Sequence, residues 1–189
     1  MTEARVPRLG VDESKAAAEA VGMPDYMAEL SIFRVLLNHP ALARAVHDLL
    51  ATMLWQGALD NRLRELLIMR IGWLTACDYE WTQHWRVALG VGVSEDDLLG
   101  VRDWPAHAGF GGAEKAVLAA TDEVVRAGAV SAQTWAALER ELGPERPALV
   151  ELVVAIGTWR MIASLLHSLE IPLEDGVAGW PPEGQPPSR

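Results

Sequence analysis

The residue types able to do acid–base and thiol chemistry gather in RELLIMRIGWLTACDYEWTQHW, residues 64–85. Glu65 lies in a very apolar run, Cys77 opens the next predicted helix, and Glu80 and His84 follow that cysteine at +3 and +7. On a helix these offsets put Cys77, Glu80 and His84 on one face over two turns. A cysteine at a helix N-terminus has its thiolate stabilised by unsatisfied N–H groups and the helix dipole. A histidine two turns further on can serve as acid, base or hydrogen-bond partner. A carboxyl on an apolar helix is costly to bury unless paired, and desolvation raises its pKa toward general-acid values. The same pattern also fits the wet face of a helix, a cysteine acting as a small buried hydrophobe, and Glu65 paired with Arg62, Arg64 or Arg70. Spacing alone leaves these readings open.

No other segment offers comparable chemistry. His39, His47, His107 and His167 have no mutual metal-ligand spacing, so no metal is expected. Gly109-Phe110-Gly111-Gly112 lacks the preceding strand and the Lys-Ser/Thr ending of a phosphate loop. A serine-hydrolase elbow is absent from the sequence.

The elements that must position these groups read as helices throughout. Apolar residues recur at 3.6-residue spacing and strand alternation is missing. Helices are predicted over 27–38, 40–56, 61–76, 78–90, 95–101, 113–127, 132–142 and 146–170, with a Pro/Gly-rich loop at 103–112. His39-Pro40 breaks the first from the second, because the residue before proline avoids the helical region. Asp60, Ser94 and Ser131 are predicted N-caps, and Gly143-Pro144 separates the last two helices. The 61–76 helix is apolar around more than half its circumference, which marks it as central. Residues 1–26 read as an N-terminal arm, 27–173 as the helical domain, and 174–189, with four prolines and three glycines, as a tail. Trp180 in that tail either docks or is exposed. A weak internal echo links LRELLIMRIGW (63–73) to LVELVVAIGTW (149–159), with Glu65 and Glu151 at equivalent places.

Composition bounds the rest. A chain of 189 residues makes one domain or at most two small ones, and needs no covalent staples. The single cysteine excludes an internal disulfide framework and a dithiol pair within the chain. A net charge of −10 argues against nucleic acid and anionic membrane surfaces as partners. The most apolar run, Leu152 to Trp159, is bounded by Glu151 and Arg160, so no bilayer span is expected. No signal-peptide core is visible, and the expectation is a soluble, cytoplasmic protein acting on a small molecule. Eight tryptophans against two tyrosines and two phenylalanines fit helical cores and interfaces, or a tryptophan-lined pocket.

The combination Arg64-Glu65, Cys77-x-Tyr79-Glu80-Trp81-x-x-His84 and Gly90-Val91-Gly92-Val93-Ser94, with flanking NHPALARAVHDLL (38–50) and the helices of 113–170, resembles the carboxymuconolactone decarboxylase family, which includes AhpD-like alkylhydroperoxidases. The resemblance spans most of residues 27–172 and implies an all-α, AhpD-like domain of seven to nine helices. Carried over, Glu65, Cys77 and His84 match the family's proton-relay glutamate, first cysteine and histidine. The peroxidase branch reads Cys-x-x-Cys-x-x-x-His, and here Glu80 stands where the second cysteine would be. A dithiol peroxidase needs one thiol to attack and a second to resolve the sulfenic acid. The resemblance therefore points to the decarboxylase branch: cofactor-free loss of CO2 from a small cyclic carboxylic acid or lactone, or a related lyase or isomerase step. It implies Glu65, Cys77, Glu80 and His84 as catalytic residues. Tyr79, Trp73, Trp81 and Arg86 are expected around the substrate, with Arg70 and Arg160 as other candidate anion partners. It also implies a homotrimer or homohexamer. The rivals are a single-cysteine peroxidase using Cys77 and a non-catalytic ligand-binding protein on the same scaffold.

Overall fold

A computed structural model describes residues 4–143 and 146–187. Residues 1–3 of the expected arm, Pro144-Glu145 between the last helices, and residues 188–189 of the tail lie outside the described residues. Among those described there are nine α-helices and no strand. They are α1 (Val11–Ala20), α2 (Ser31–Leu36), α3 (Pro40–Trp55), α4 (Asn61–Leu74), α5 (Asp78–Gly90), α6 (Glu95–Gly100), α7 (Gly112–Ala127), α8 (Ala132–Leu142) and α9 (Arg146–Leu169). The fold is all-α, as expected.

The chain forms two compact units. One comprises residues up to Gln56 together with Leu165–Val177; the other comprises Gly57–Ser164 with the tail from Ala178.

In the first unit, the segment expected as an arm contains α1. Its periodicity is faint in sequence because its inward positions are small: Ser14 and Ala18 are buried, and the Ser14 hydroxyl donates to the Ala28 carbonyl at 2.8 Å. The helix expected over 27–38 is a 3-10 turn (Met27–Glu29) followed by the short α2, because Leu30 takes an extended conformation between them. Pro40 occupies the first turn of α3, where its missing N–H costs nothing.

In the second unit, α4 is the central helix. The Asp60 carboxylate accepts from the N–H groups of Arg62 and Leu63, capping its start. Every residue from Leu63 to Gly72 is buried, and α5 and α7 pack against it. Ser94 and Ser131 cap α6 and α8 as predicted. Arg70 forms a buried fork on Asp122 of α7 (2.6 and 2.8 Å) and donates to the carbonyls of Val101 and Arg102. This geometry ties α4, α7 and the turn after α6 together.

The tail is held at Trp180, Pro181 and Glu183. The Trp180 backbone N–H donates to Asp78 Oδ1 and Thr82 Oγ1, and the Trp81 indole donates to the Pro181 carbonyl at 2.8 Å. Its ring joins those of Trp73 and Trp81, with centroids 6.2 and 5.9 Å away. Arg102 lies over Trp73 and Trp81 and bridges to Glu183 at 3.0 Å. A Pro/Gly-rich segment can thus be held in place by one aromatic anchor.

By length and a mean hydropathy of 1.8, α9 is long and apolar enough to cross a bilayer. Half of its apolar window is buried within the protein, with Leu152, Ala155, Ile156 and Trp159 in the core, as in the core helix of a globular domain. Val150, Val153, Val154 and Met161 form an exposed apolar stripe on its other side.

Candidate active site

The site is built on the α4–α5 hairpin. α4 ends in a Schellman turn: the Cys77 N–H donates to the Gly72 carbonyl and the Ala76 N–H to that of Trp73. Ala76 occupies the left-handed position at φ 52°, where glycine is usual. The chain reverses within three residues and α5 returns along α4. The helices approach closely at Gly72, where a Cβ would stand 3.2 Å from the Trp81 backbone nitrogen. This approach brings Glu65 of α4 and His84 of α5 together.

Glu65 Oε2 lies 2.8 Å from His84 Nδ1. Its other oxygen accepts from Arg64, at 3.1 Å from Nε and 3.0 Å from Nη2, and Arg64 also donates to the Asn61 side-chain carbonyl at 2.7 Å. The Glu65 side chain is fully buried and that of His84 is 15% exposed, so the histidine edge is where solvent or a ligand reaches the pair. Burial pushes the Glu65 carboxyl up; its partners His84 and Arg64 outweigh it and hold the carboxyl below the usual range. On the far side of the ring, the Trp159 indole N–H of α9 donates to His84 Nε2 at 3.2 Å. An indole N–H only donates, so Nε2 accepts, and the ring proton sits on Nδ1 and is donated to Glu65.

Cys77 and Glu80 stand apart from this hydrogen-bonded group. Cys77 is 2% exposed. The N–H groups of Glu80 and Tyr79 do pull its pKa down, as a helix N-terminus should. Burial, the largest cause, overrides them and pushes the thiol up to about 12. The expected stabilised thiolate is therefore corrected to a buried, protonated thiol, because desolvation exceeds the pull of two N–H groups. Glu80 is also buried, and neither of its oxygens has a hydrogen-bond partner among the described residues. Burial raises its pKa well above the ordinary value and favours its protonated form.

The expected substrate contacts fare differently. Tyr79 is buried beside the turn. Trp81 is fully buried and Trp73 packs on it, both in a hydrophobic core capped by the tail; they build structure rather than an open wall. Arg86 is solvent-exposed and donates to Gln83 on the side of α5 away from His84, since a two-residue step turns about 200° around a helix. Arg70 is occupied by Asp122, and exposed Arg160 donates to the Val124 carbonyl. Glu151, the echo of Glu65, accepts from the N–H groups of Ala58 and Leu59 and belongs to that turn.

Trp159 and Asn61 were not foreseen at the site. The only sequence signal for Trp159 was its place in the echo, opposite Trp73. One further cluster brings metal-ligand types together: Asp96, Asp97 and His107 offer donor atoms within 4.8 Å of one another. Asp97 there is already engaged by Arg62, Ser94 and His107, which makes the cluster an ion-pair network.

Residues 40–123 match the carboxymuconolactone decarboxylase family model. The fold is similar to a peroxidase-related protein of Ralstonia eutropha described as an alkylhydroperoxidase AhpD core, with a TM-score of 0.74 at 16% identity over 93% of this chain and 94% of that one. It is similar to a protein of Agrobacterium tumefaciens described as a putative antioxidant defence protein AhpD, with a TM-score of 0.65 at 19% identity over 72% and 92%. It is also similar to a variant of the debrominase Bmp8 in complex with 2,3,4-tribromopyrrole, with a TM-score of 0.66 at 15% identity over 87% and 86%. No curated protein matches the chain in sequence at a significant level. Over residues 40–123 the chain matches the carboxymuconolactone decarboxylase family, and its fold is AhpD-like. The family match ends at residue 123, so the resemblance of the later helices rests on the fold.

Proposed function

We propose that this protein is a cofactor-free acid–base enzyme acting on a small cyclic carboxylic acid or lactone, by decarboxylation or a related lyase or isomerase step. The observation that carries this reading is the buried Glu65–His84 pair, with its carboxylate anchored by Arg64 and its imidazole edge accessible. An ionised carboxylate behind an imidazole stabilises the imidazolium, so Nε2 can take a proton from solvent and give it up again. In a decarboxylation the bond from the ring carbon to the carboxylate breaks and CO2 leaves. The electron pair moves into the conjugated carbonyl, and the ring carbon takes the proton from Nε2. An isomerisation runs the same atom as base and then as acid. Glu80, whose pKa burial raises, is a second candidate proton donor in the same helix. The small ring in the Bmp8 complex supports a ligand of this size.

The single buried thiol, pushed up to about 12, disfavours peroxide chemistry, which proceeds through a thiolate. The test is turnover of unsaturated carboxylated lactones, followed by CO2 release and ring absorbance. His84→Gln should lose at least about 100-fold in kcat and Glu65→Gln about 10- to 100-fold, while Cys77→Ser keeps most activity. Hydroperoxide consumption with a dithiol reductant that vanishes in Cys77→Ser would replace this reading with the peroxidase one. Ligand binding without turnover in any variant would replace it with the binding protein. The assembly proposed with it is a homotrimer or homohexamer, for which the exposed valine stripe of α9 is a surface to bury.

A further inference from the structure

We infer that Trp159 is a positioning residue for His84: its indole N–H, aimed at Nε2 from α9, holds that nitrogen unprotonated until the indole is displaced. The inference rests on the acid–base reading of His84 above. The geometry behind it is independent of that reading. Nδ1 and Nε2 are both occupied, by a carboxylate acceptor at 2.8 Å and an indole donor at 3.2 Å, and the rings meet edge to face with centroids 5.8 Å apart. An imidazole bonded at both nitrogens cannot rotate without breaking one bond, so the tautomer and the ring orientation are set together.

Trp159 is 2% exposed and the Glu65 side chain fully buried, so neither partner is readily exchanged for water. A proton on Nε2 would point at the indole N–H, and the two are mutually exclusive. The Nε2 lone pair is therefore covered by a weak donor, and protonation or ligand entry must displace that donor.

The experiment is nitrogen-15 NMR of histidine-labelled and tryptophan-labelled protein. In the unmodified chain, a coupling across the hydrogen bond between Trp159 Nε1 and His84 Nε2 should be seen. Nε2 should carry the unprotonated signature and Nδ1 the protonated one. Trp159→Phe, which keeps an aromatic ring in the buried seat, should shift the Nε2 signal and leave Nδ1 bonded to Glu65. It should also lower kcat about tenfold, with KM changed less. Absence of the coupling in the unmodified chain, or an unchanged Nε2 signal in a folded Trp159→Phe variant, overturns the inference. The coupling is read without any substitution, so a variant that fails to fold does not shelter it. If the spectra behave as stated but His84→Gln keeps full turnover, the acid–base reading fails and the positioning role stands.

Discussion

At the scale of single residues, burial decides which candidate groups carry charge. Glu65 and Glu80 are both buried carboxyls, fifteen positions apart in sequence, yet they shift in opposite directions. Glu65 has Arg64 and His84 to offset its desolvation; Glu80 has no hydrogen-bond partner among the described residues. The signs of their pH effects differ accordingly. Glu65, held below the usual range, contributes stability that is full above the unfolded carboxylate pKa and is lost as pH falls through the lower folded value. Glu65→Gln should flatten the acid limb of the stability curve, as read by urea unfolding across the acidic range. Glu80 is raised, so the folded state keeps a proton the unfolded state has released, and its cost grows as pH rises above the unfolded value. Glu80→Met, of similar volume, should raise stability by about 1–3 kcal/mol at pH 7. The gain should shrink toward pH 4, and thermal unfolding at both pH values checks it. A stability gain joined to a loss of turnover would mark Glu80 as kept for function.

At the scale of elements, the α4–α5 turn sets the site. Ala76 holds a left-handed conformation that costs an alanine about 1 kcal/mol relative to glycine. Ala76→Gly should therefore stabilise the protein by about 0.5–1 kcal/mol, measured as a shift in the urea midpoint with unchanged slope. Gly72→Ala should do the opposite, by about 1–3 kcal/mol, because its methyl would press on the Trp81 backbone. It should also weaken turnover by moving Glu65 away from His84. The tail is an element too. Trp180→Ala removes one ring from the cluster with Trp73 and Trp81 and should cost about 1–3 kcal/mol, checked by thermal unfolding and by new protease sensitivity after Val177.

At the scale of the whole molecule, α9 serves two faces. One packs Leu152, Ile156 and Trp159 into the core, and the other exposes Val150, Val153, Val154 and Met161. If the proposed assembly buries that stripe, Val154→Lys should lower the mass in sedimentation experiments to that of the single chain without unfolding it. An unchanged mass would place the interface elsewhere.

The helical class, the caps at Asp60, Ser94 and Ser131, the central α4 and the family motif were all legible in the chain. Each is written in local spacing: apolar period, cap residue, and the run from Cys77 through Glu80 to His84. Helix α1 was not, because small buried residues leave little hydropathy contrast. Arg86 looked like a site cation because charge is visible in sequence, whereas the side of a helix that meets a neighbour is not. The one cysteine and the glutamate three places on were settled by sequence alone, and with them the absence of a dithiol pair. That the thiol is buried, that Glu65 pairs with His84 across nineteen positions, and that Trp159 closes the far side of the imidazole from seventy-five positions away were decided only by the tertiary structure. Desolvation and hydrogen-bond partnership depend on what packs against a group, and for these groups the packing comes from helices far away in the chain.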